Sequence, residues 1–190
     1  TPSGEIRPGY QHFKDRVEQL TPEEFQRRQI SAERALMAMG ITFNVYSENE
    51  GTERIMPVDI IPRIVHAQEW DKMEKGLIQR ITALNLFLAD IYSDQKIIQD
   101  GIIPREVIES SKDFLRPCIG IKPAKNIYIH ITGTDLIRGA DGEYMILEDN
   151  LRCPSGVSYM MENRELLKQT FPEVVAKTQI RPISDYPHKL

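Results

Sequence analysis

Hydrophobic residues recur along this chain in two periods, and the first regular segment has the pattern of a helix. Thr21 is a suitable N-terminal cap, Pro22 suits the first helical position, and Glu24 completes a capping box. Gly40 tolerates the left-handed backbone at which helices commonly end. The pattern therefore predicts a helix from Thr21 to about Met39.

An alternating pattern follows this helix. Residues 41–47 place apolar side chains at every second position, which is the period of a strand with one buried face. A turn is predicted at 49–52 and a second strand at 54–61. Because Pro57 has no N–H to donate, this second strand is expected at a sheet edge.

The longest periodic segment covers residues 67–92. Its apolar side chains recur at three- and four-residue steps, which predicts a long amphipathic helix. The buried face would consist of Trp70, Met73, Leu77, Leu84, Leu88 and Ile91. Beyond this helix, the sequence predicts a short helix at 105–110 and a loop at 116–125.

Two strand-like runs come next, at 127–131 and 143–147, with a turn pattern at 139–142 between them. We expect the two runs to pair as a β-hairpin, which a helix from about 157 to 170 follows. The order of elements indicates an α+β, or mixed α/β, fold in which a long amphipathic helix accompanies a β-hairpin.

Oxygen-bearing side chains gather where this hairpin would bring its strands together. Asp135 follows the first run, while Glu148 and Asn150 follow the second and share a strand face because they are two residues apart. Two carboxylates and an amide oxygen suit a hard cation such as Mg²⁺, which takes further ligands from water and substrate phosphates. Acidic residues at a strand end are also common as solvated turn residues, so spacing alone leaves both interpretations open.

The neighbours of these residues favour a phosphate site. Arg138 and Arg152 flank the acidic residues, and arginine is a preferred partner of phosphate and carboxylate groups. Pro154, Ser155 and Gly156 then form a tight turn of small residues before the last predicted helix. Backbone N–H groups at such a helix start bind anions well.

These residues also carry a family resemblance. The chain resembles the circularly permuted ATP-grasp ligases, a group similar to the glutathionylspermidine synthetases, through Asp135, Glu148-x-Asn150 and Arg152-x-Pro154-Ser155-Gly156-x-x-Tyr159-x-x-Glu162-Asn163-Arg164. The resemblance extends upstream through Ile61–Ile64, Trp70, Gly76–Arg80, Ala83–Asn85 and Leu88–Tyr92. One departure is Gly133, because the synthetases have an Arg two residues before the first acidic ligand.

The resemblance implies a partial ATP-grasp fold with ATP and Mg²⁺ as cofactors. The implied reaction joins a carboxylate to an amine as an amide or peptide bond, through an acyl phosphate. The resemblance assigns Mg²⁺ binding to Asp135, Glu148 and Asn150. Stabilisation of the phosphoryl group or the acyl phosphate would then fall to the catalytic residues Arg152 and Arg138. The residues predicted to contact substrate are Arg63, Ser155, Gly156 and Arg164.

The same resemblance bears on domain organisation. In the permuted arrangement, the nucleotide-binding lysines come after the Glu-x-Asn strand, and here residues 151–190 are too few for another lobe. We therefore predict one partial ATP-grasp domain, a fragment that is inactive alone and has the remainder of its own polypeptide as a partner. Its predicted parts are an N-terminal helix with strands (1–66), a helical segment (67–118), and the metal-site hairpin with the C-terminal helix (119–190).

Composition adds several exclusions. The chain has 190 residues, of which 41% are hydrophobic and 27% charged, as is typical of a soluble globular protein. A net charge of −4 argues against a nucleic-acid partner. The sequence contains no apolar run of about 18 residues, so no membrane partner is expected. With no signal-peptide pattern, a cytoplasmic location is predicted, and Cys118 and Cys153 are expected as reduced thiols.

Two other functions remain open from the sequence. The chain could be a non-catalytic binding or assembly module in which the acidic strand end is structural. A metal-dependent hydrolase is less well supported, since no convincing base or nucleophile accompanies the acidic residues. The sequence leaves open the carboxylate, the amine and the oligomeric state. A downstream lobe with candidate ATP-binding lysines would favour the ligase.

Overall fold

The computed structural model describes residues 3–7, 9–45 and 52–190. The α-helices in these ranges are α1 (Gln11–Val17), α2 (Pro22–Ala38), α3 (Ala67–Ile91), α4 (Lys96–Gln99), α5 (Arg105–Glu109), α6 (Gly156–Thr170), α7 (Pro172–Lys177) and α8 (Tyr186–Lys189), and short 3-10 helices form at Arg116–Cys118 and Ala124–Asn126. The strands are β1 (Thr42–Val45), β2 (Thr52–Ile55), β3 (Gly133–Arg138) and β4 (Tyr144–Asn150). The predicted α+β class is confirmed.

The chain divides into two compact units. We call Thr1–His66 together with Ser155–Leu190 the core unit, and Ala67–Pro154 the hairpin unit. Two-stranded antiparallel sheets form in both units, β1 with β2 in the core unit and β3 with β4 in the hairpin unit. Among the described helices, none has the length and apolar character needed to cross a membrane.

The core unit is organised around buried apolar side chains that come from both ends of the chain. Its buried cluster consists of Phe13, Ala32, Leu36, Ile60, Leu166, Phe171 and Val174. Phe171 is fully buried and meets the ring of Phe13 edge to face, with 5.0 Å between the ring centroids. Helices α1 and α7 were not predicted from the sequence, although α7 supplies Val174 to this cluster.

Helix α2 begins and ends where its sequence predicts. The backbone N–H of Glu24 donates to the Thr21 hydroxyl at 3.2 Å, and the N–H of Thr21 donates to the Glu24 carboxylate at 3.0 Å. This reciprocal pair confirms the capping box. After the helix, Gly40 adopts a φ of +71°, and the N–H of Ile41 donates to the carbonyl of Leu36 at 2.9 Å.

The second strand ends earlier than predicted. Thr42 pairs with Ile55 and Val45 with Thr52, so β2 ends before the predicted limit at residue 61. Pro57 gives the physical reason, since it offers no N–H to a sheet ladder. Most of the predicted turn at 49–52, and the end of the predicted strand at 41–47, lie outside the described residues.

In the hairpin unit, α3 confirms the predicted long helix almost residue for residue. Its predicted buried face is less buried than expected: Ile91 is buried, whereas Leu77, Leu84 and Leu88 are half-buried. The prediction for Trp70 is wrong, because this side chain is 38% exposed. A helix that packs against a two-stranded sheet has few neighbours with which to cover a wide apolar face.

The predicted strand at 127–131 is also wrong, since β3 begins at Gly133. The backbone N–H groups of Tyr128 and Ile129 both donate to the side-chain oxygen of Asn85 on α3, at 2.8 and 3.2 Å. Just before them, Lys125 and Asn126 adopt positive φ angles of 56° and 57°, which no strand contains. The segment therefore bonds to the helix and cannot form the ladder that its apolar pattern suggested.

Candidate functional site

The register of the β3–β4 hairpin brings the predicted metal ligands onto one face. Asp135 lies directly opposite Glu148, and Gly133 lies opposite Asn150. Residues that face each other across an antiparallel pair project to the same side of the sheet. Asp135, Glu148 and Asn150 therefore share a face, which we call the open face because all three side chains are exposed.

A β-bulge sets this arrangement. Asp135 pairs with Glu148, but the next residue, Leu136, pairs with Ile146, so Leu147 has no partner in the ladder. One extra residue in a strand reverses the alternation of its side chains beyond that point. Because of the bulge, Glu148 projects from the face opposite to that of Ile146, although the two residues are two positions apart.

Two of the polar side chains on the open face, Glu148 and Asn150, are in contact. The Asn150 side-chain nitrogen donates to a Glu148 carboxylate oxygen at 3.0 Å. At the same end of the hairpin, a Cβ built on Gly133 would lie 2.7 Å from the Cβ of Pro154. A side chain at position 133 would collide with Pro154, which gives a steric reason for the departure from the Arg of the synthetases.

The opposite face of the hairpin, which we call the helix face, packs against α3. Leu136 and Ile146 line a cavity of about 220 Å³ together with Met73 and Leu77 of the helix. Two ion pairs join the hairpin to α3, one on either side of this apolar contact. Lys72 pairs with Glu143 near the turn, and Arg80 pairs with Asp149 at the end of the strand.

The middle residue of the Glu-x-Asn sequence projects to the helix face. Asp149 accepts a hydrogen bond from the Arg80 side chain at 2.7 Å and another from the Thr134 hydroxyl at 2.9 Å. Its side chain is only 8% exposed. The ion pair between Asp149 and Arg80 was not predicted from the sequence. The available signal was a third acidic residue between two predicted ligands, which must face the other way on a strand.

The two predicted catalytic arginines occupy different environments. Arg138 lies on the helix face, where its guanidinium contacts Glu69, donates to the carbonyl of Gly142 at 3.0 Å, and stacks 5.1 Å above the ring of Tyr144. A phosphate role for Arg138 would require it to leave these partners. Arg152 is 84% exposed and contacts Asp113, itself exposed, at 3.0 Å.

The four predicted substrate-binding residues belong to the core unit. Arg63 is exposed between β2 and α3. Ser155 and Gly156 are exposed at the start of α6, and Arg164 lies further along that helix. The guanidinium of Arg164 donates to the backbone carbonyl of Arg181. The hairpin unit thus contains the predicted metal ligands and both predicted catalytic arginines. The core unit contains the four predicted substrate-binding residues.

The donor set on the open face fits magnesium in its chemistry. It offers two carboxylates and an amide oxygen, all exposed, which leaves room for water and phosphate ligands. Over the described ranges, no cluster contains three or more His, Cys, Asp or Glu side chains placed to hold a metal. The open face contributes two acidic groups, so a cation there would need Asn150 and ligands from outside the protein.

Comparisons with known proteins identify relatives over nearly the whole chain. An uncharacterized protein of Synechocystis is 50% identical over 187 residues, which are 98% of this chain and 39% of that protein. An uncharacterized protein of Mycobacterium tuberculosis is 41% identical over 183 residues, which are 96% of this chain and 32% of that protein. The chain thus spans well under half the length of these relatives.

A third relative carries a functional name. A protein of Frankia alni, named putative glutamate–cysteine ligase, is 38% identical over 172 residues, which are 90% of this chain and 20% of that protein. The family model described as "Circularly permuted ATP-grasp type 2" matches residues 62–190, which include α3, the complete hairpin and α6. The chain therefore belongs to the circularly permuted ATP-grasp type 2 family.

Proposed function

We propose that this chain contributes the magnesium site of an ATP-dependent carboxylate–amine ligase. The observation that carries the proposal is the hairpin register, which sets Asp135 opposite Glu148 and brings Asn150 to the same exposed face. The family supports the use of ATP, because an ATP-grasp protein has a nucleotide for which such a site is needed. The Frankia relative, by its name, supports the ligase class.

The proposal gives each residue on the open face a role. The carboxylates of Asp135 and Glu148 and the side-chain oxygen of Asn150 would hold Mg²⁺. When bound, Mg²⁺ neutralises phosphate charge as the phosphoryl group moves between oxygens. Asn150 would have to rotate or break its hydrogen bond to Glu148 so that both oxygens face the ion.

Arg152 is the better candidate of the two arginines for contact with the phosphoryl group. Its side chain is 84% exposed, and its partner Asp113 is equally solvated, so little free energy is needed to separate them. Arg138, in contrast, is about one-fifth exposed and contacts Glu69 and the ring of Tyr144. We therefore assign Arg138 to holding the hairpin against α3.

The substrates belong to the same proposal. A small-molecule or peptide carboxylate would be phosphorylated by ATP, and an amine would then displace the phosphate. Arg63 and Arg164 would contact substrate, and Ser155 and Gly156 would offer backbone N–H groups at the start of α6. Lysines that bind the nucleotide would belong to another part of the polypeptide, and the 190 residues would form one part of an ATP-grasp domain.

Glu148→Gln in the full-length protein tests the proposal. Gln keeps the shape of the side chain and removes one negative charge from a hard-cation site. ATP turnover, assayed in excess Mg²⁺ with a panel of carboxylates and amines, should fall at least about a hundredfold. Thermal stability should not change. Glu143→Gln is the matched control, because Glu143 is an exposed acid on the same hairpin whose partner is Lys72, and its turnover should stay at the wild-type rate.

Arg152→Lys tests the second role. Lys keeps the charge and loses the planar fork that matches phosphate, so turnover should fall while the melting temperature stays constant. Arg116→Lys is the control, since Arg116 is also exposed and also pairs with a surface carboxylate. The ligase assignment fails if full-length protein binds no Mg-ATP by calorimetry, or if Glu148→Gln binds and turns it over like wild type. Either result would favour the binding module.

A further inference from the structure

The residue between the two proposed ligands of β4 has its own binding partners on the helix face. One Asp149 carboxylate oxygen accepts from the Arg80 side chain at 2.7 Å, and the other accepts from the Thr134 hydroxyl at 2.9 Å. With a side chain that is 8% exposed, Asp149 is largely removed from water, whereas Glu148 and Asn150 on either side are exposed. A buried carboxylate is costly unless it is paired and hydrogen-bonded, and here both conditions are met.

At this end of the hairpin, the register between β3 and β4 must be fixed by polar contacts. A shift of one residue in a strand moves every side chain to the other face. Leu136 and Ile146 fix the register on the turn side of the bulge by packing toward α3. Beyond the bulge at Leu147, none of the paired residues has a large apolar side chain, so apolar packing does not distinguish between the two faces.

Three consecutive polar residues occupy this stretch, and each could in principle be exposed. A shift by one would expose Asp149 and turn Glu148 and Asn150 toward α3. Arg80 presents a positive charge on the helix face at this position, and Thr134 on the neighbouring strand presents a hydroxyl donor. Asp149 meets both donors in the observed register, in which Glu148 lies opposite Asp135, and a shift of one residue would turn Asp149 away from them.

We infer that Arg80 and Asp149 are positioning residues for the magnesium site: their ion pair on the helix face fixes the register that holds Glu148 and Asn150 on the open face. This inference rests on the proposed function. Neither residue touches the metal. Their effect passes through the β4 backbone to the two ligands, and partners of this kind commonly change metal affinity by about 10- to 100-fold.

The hairpin offers a matched comparison. Lys72 and Glu143 also join α3 to the hairpin by an ion pair, but both side chains are exposed, at 71% and 60%, and they lie on the turn side of the bulge. If Arg80 and Asp149 only attached the hairpin to the helix, removal of either ion pair would have similar consequences. A positioning role predicts that only the pair with Asp149 affects metal binding.

The experiment measures Mn²⁺ affinity by electron paramagnetic resonance, in the full-length protein with a saturating non-hydrolysable ATP analogue. Asp149→Asn keeps the shape of the side chain and removes its charge, and it should weaken Mn²⁺ binding at least about tenfold. Arg80→Lys, a milder change at a side chain that is 45% exposed, should weaken binding in the same direction. Lys72→Gln should bind like wild type.

A second measurement needs no metal. Hydrogen exchange of the amides at 148–150 in metal-free protein should be faster in Asp149→Asn and Arg80→Lys than in Lys72→Gln, because the register is less firmly held. The inference is overturned if both variants bind Mn²⁺ within twofold of wild type while wild type binds it well; the proposed function would then stand. If wild type itself binds no Mn²⁺ with the analogue, the proposed function fails, and the positioning role fails with it.

Discussion

The core unit and the hairpin unit are stabilised in different ways. In the core unit, seven buried side chains from both ends of the chain form a single cluster. In the hairpin unit, the buried apolar residues are Ile91, Ile108 and Ile129, and most of the α3 face toward the hairpin is half-buried. There, hydrogen bonds and ion pairs between α3 and its neighbours supplement apolar contact.

The residues proposed to bind the metal and the residues that stabilise the fold lie in different units of this molecule. The proposed ligands lie on an exposed sheet face of the hairpin unit, so substitutions there remove little buried area. Apolar side chains share that face, since Ile137 and Met145 face each other and are 44% and 50% exposed. Function should therefore be lost at the hairpin without unfolding, whereas stability should be lost at the core.

Phe171→Ala should give the largest loss of stability. The ring is fully buried, meets Phe13 edge to face, and lies 4.9 Å below the Arg28 guanidinium carbon. We expect the free energy of unfolding to fall by about 3–5 kcal/mol, measured by urea denaturation. Met37→Ala is the control, because Met37 is 57% exposed and should change stability by less than about 0.5 kcal/mol. Equal losses in the two variants would contradict the existence of a tight core.

Leu84→Ala tests the hairpin unit in the same way. For a fully buried leucine we would expect a loss of about 2–5 kcal/mol. Since Leu84 is only half-buried, the expected loss is about 1–2 kcal/mol. Leu86 lies on the same helix and is 64% exposed. Leu86→Ala should therefore leave the free energy of unfolding, measured by urea denaturation, almost unchanged. A loss from Leu84→Ala as large as that from Phe171→Ala would mean that the two units do not differ in packing.

The smallest expected effect concerns acid stability of the core unit. The pKa of Glu173 is lowered below its ordinary value of 4.5, mainly by a hydrogen bond from its own backbone N–H at the start of α7, with Arg16 and Arg28 adding to this and burial opposing it. Because the folded pKa is depressed, this stability is present above pH 4.5 and is lost as pH falls through the folded pKa.

Glu173→Gln should therefore flatten the stability profile below that pH. The effect should be less than about 1 kcal/mol, since the side chain is 36% exposed and water screens its ion pairs. Urea denaturation between pH 2.5 and 6 gives the measurement, in about half-unit steps. Glu165→Gln removes an exposed pair with Lys168 and should leave the profile unchanged. A profile for Glu173→Gln identical to wild type would show that folding does not lower the pKa of this carboxylate.

Local signals were sufficient for several elements. The capping box of α2 needs only residues three apart, and the φ of +71° at Gly40 needs only a residue without a side chain. The periodicity of α3 continues for 25 residues, too long to arise by chance in a strand or loop. The turn at 139–142 has Gly142 at a φ of +86°, where glycine is favoured.

The segment at 127–131 shows why an apolar pattern can mislead. The strand-like run predicted a strand there, but a strand needs free backbone groups of its own to pair with a neighbour. Asn85 occupies the two N–H groups of Tyr128 and Ile129, and it is more than forty residues away in the chain. A side chain at that distance cannot be assigned to a backbone N–H from sequence spacing, so the prediction failed for a tertiary reason.

The sequence by itself determined which residues of the site are chemically suited to a hard cation, because the type and order of Asp135, Glu148 and Asn150 are local facts. The two-residue spacing of Glu148 and Asn150 also gives them a common strand face, but the register that places Asp135 on that face was decided by tertiary structure. A bulge at Leu147 reverses the alternation of side chains along β4. Asp149 pairs with Arg80 of α3, a residue far from it in the sequence. Local periodicity identifies strands and helices, but the register between them depends on side chains that meet only after the chain has folded.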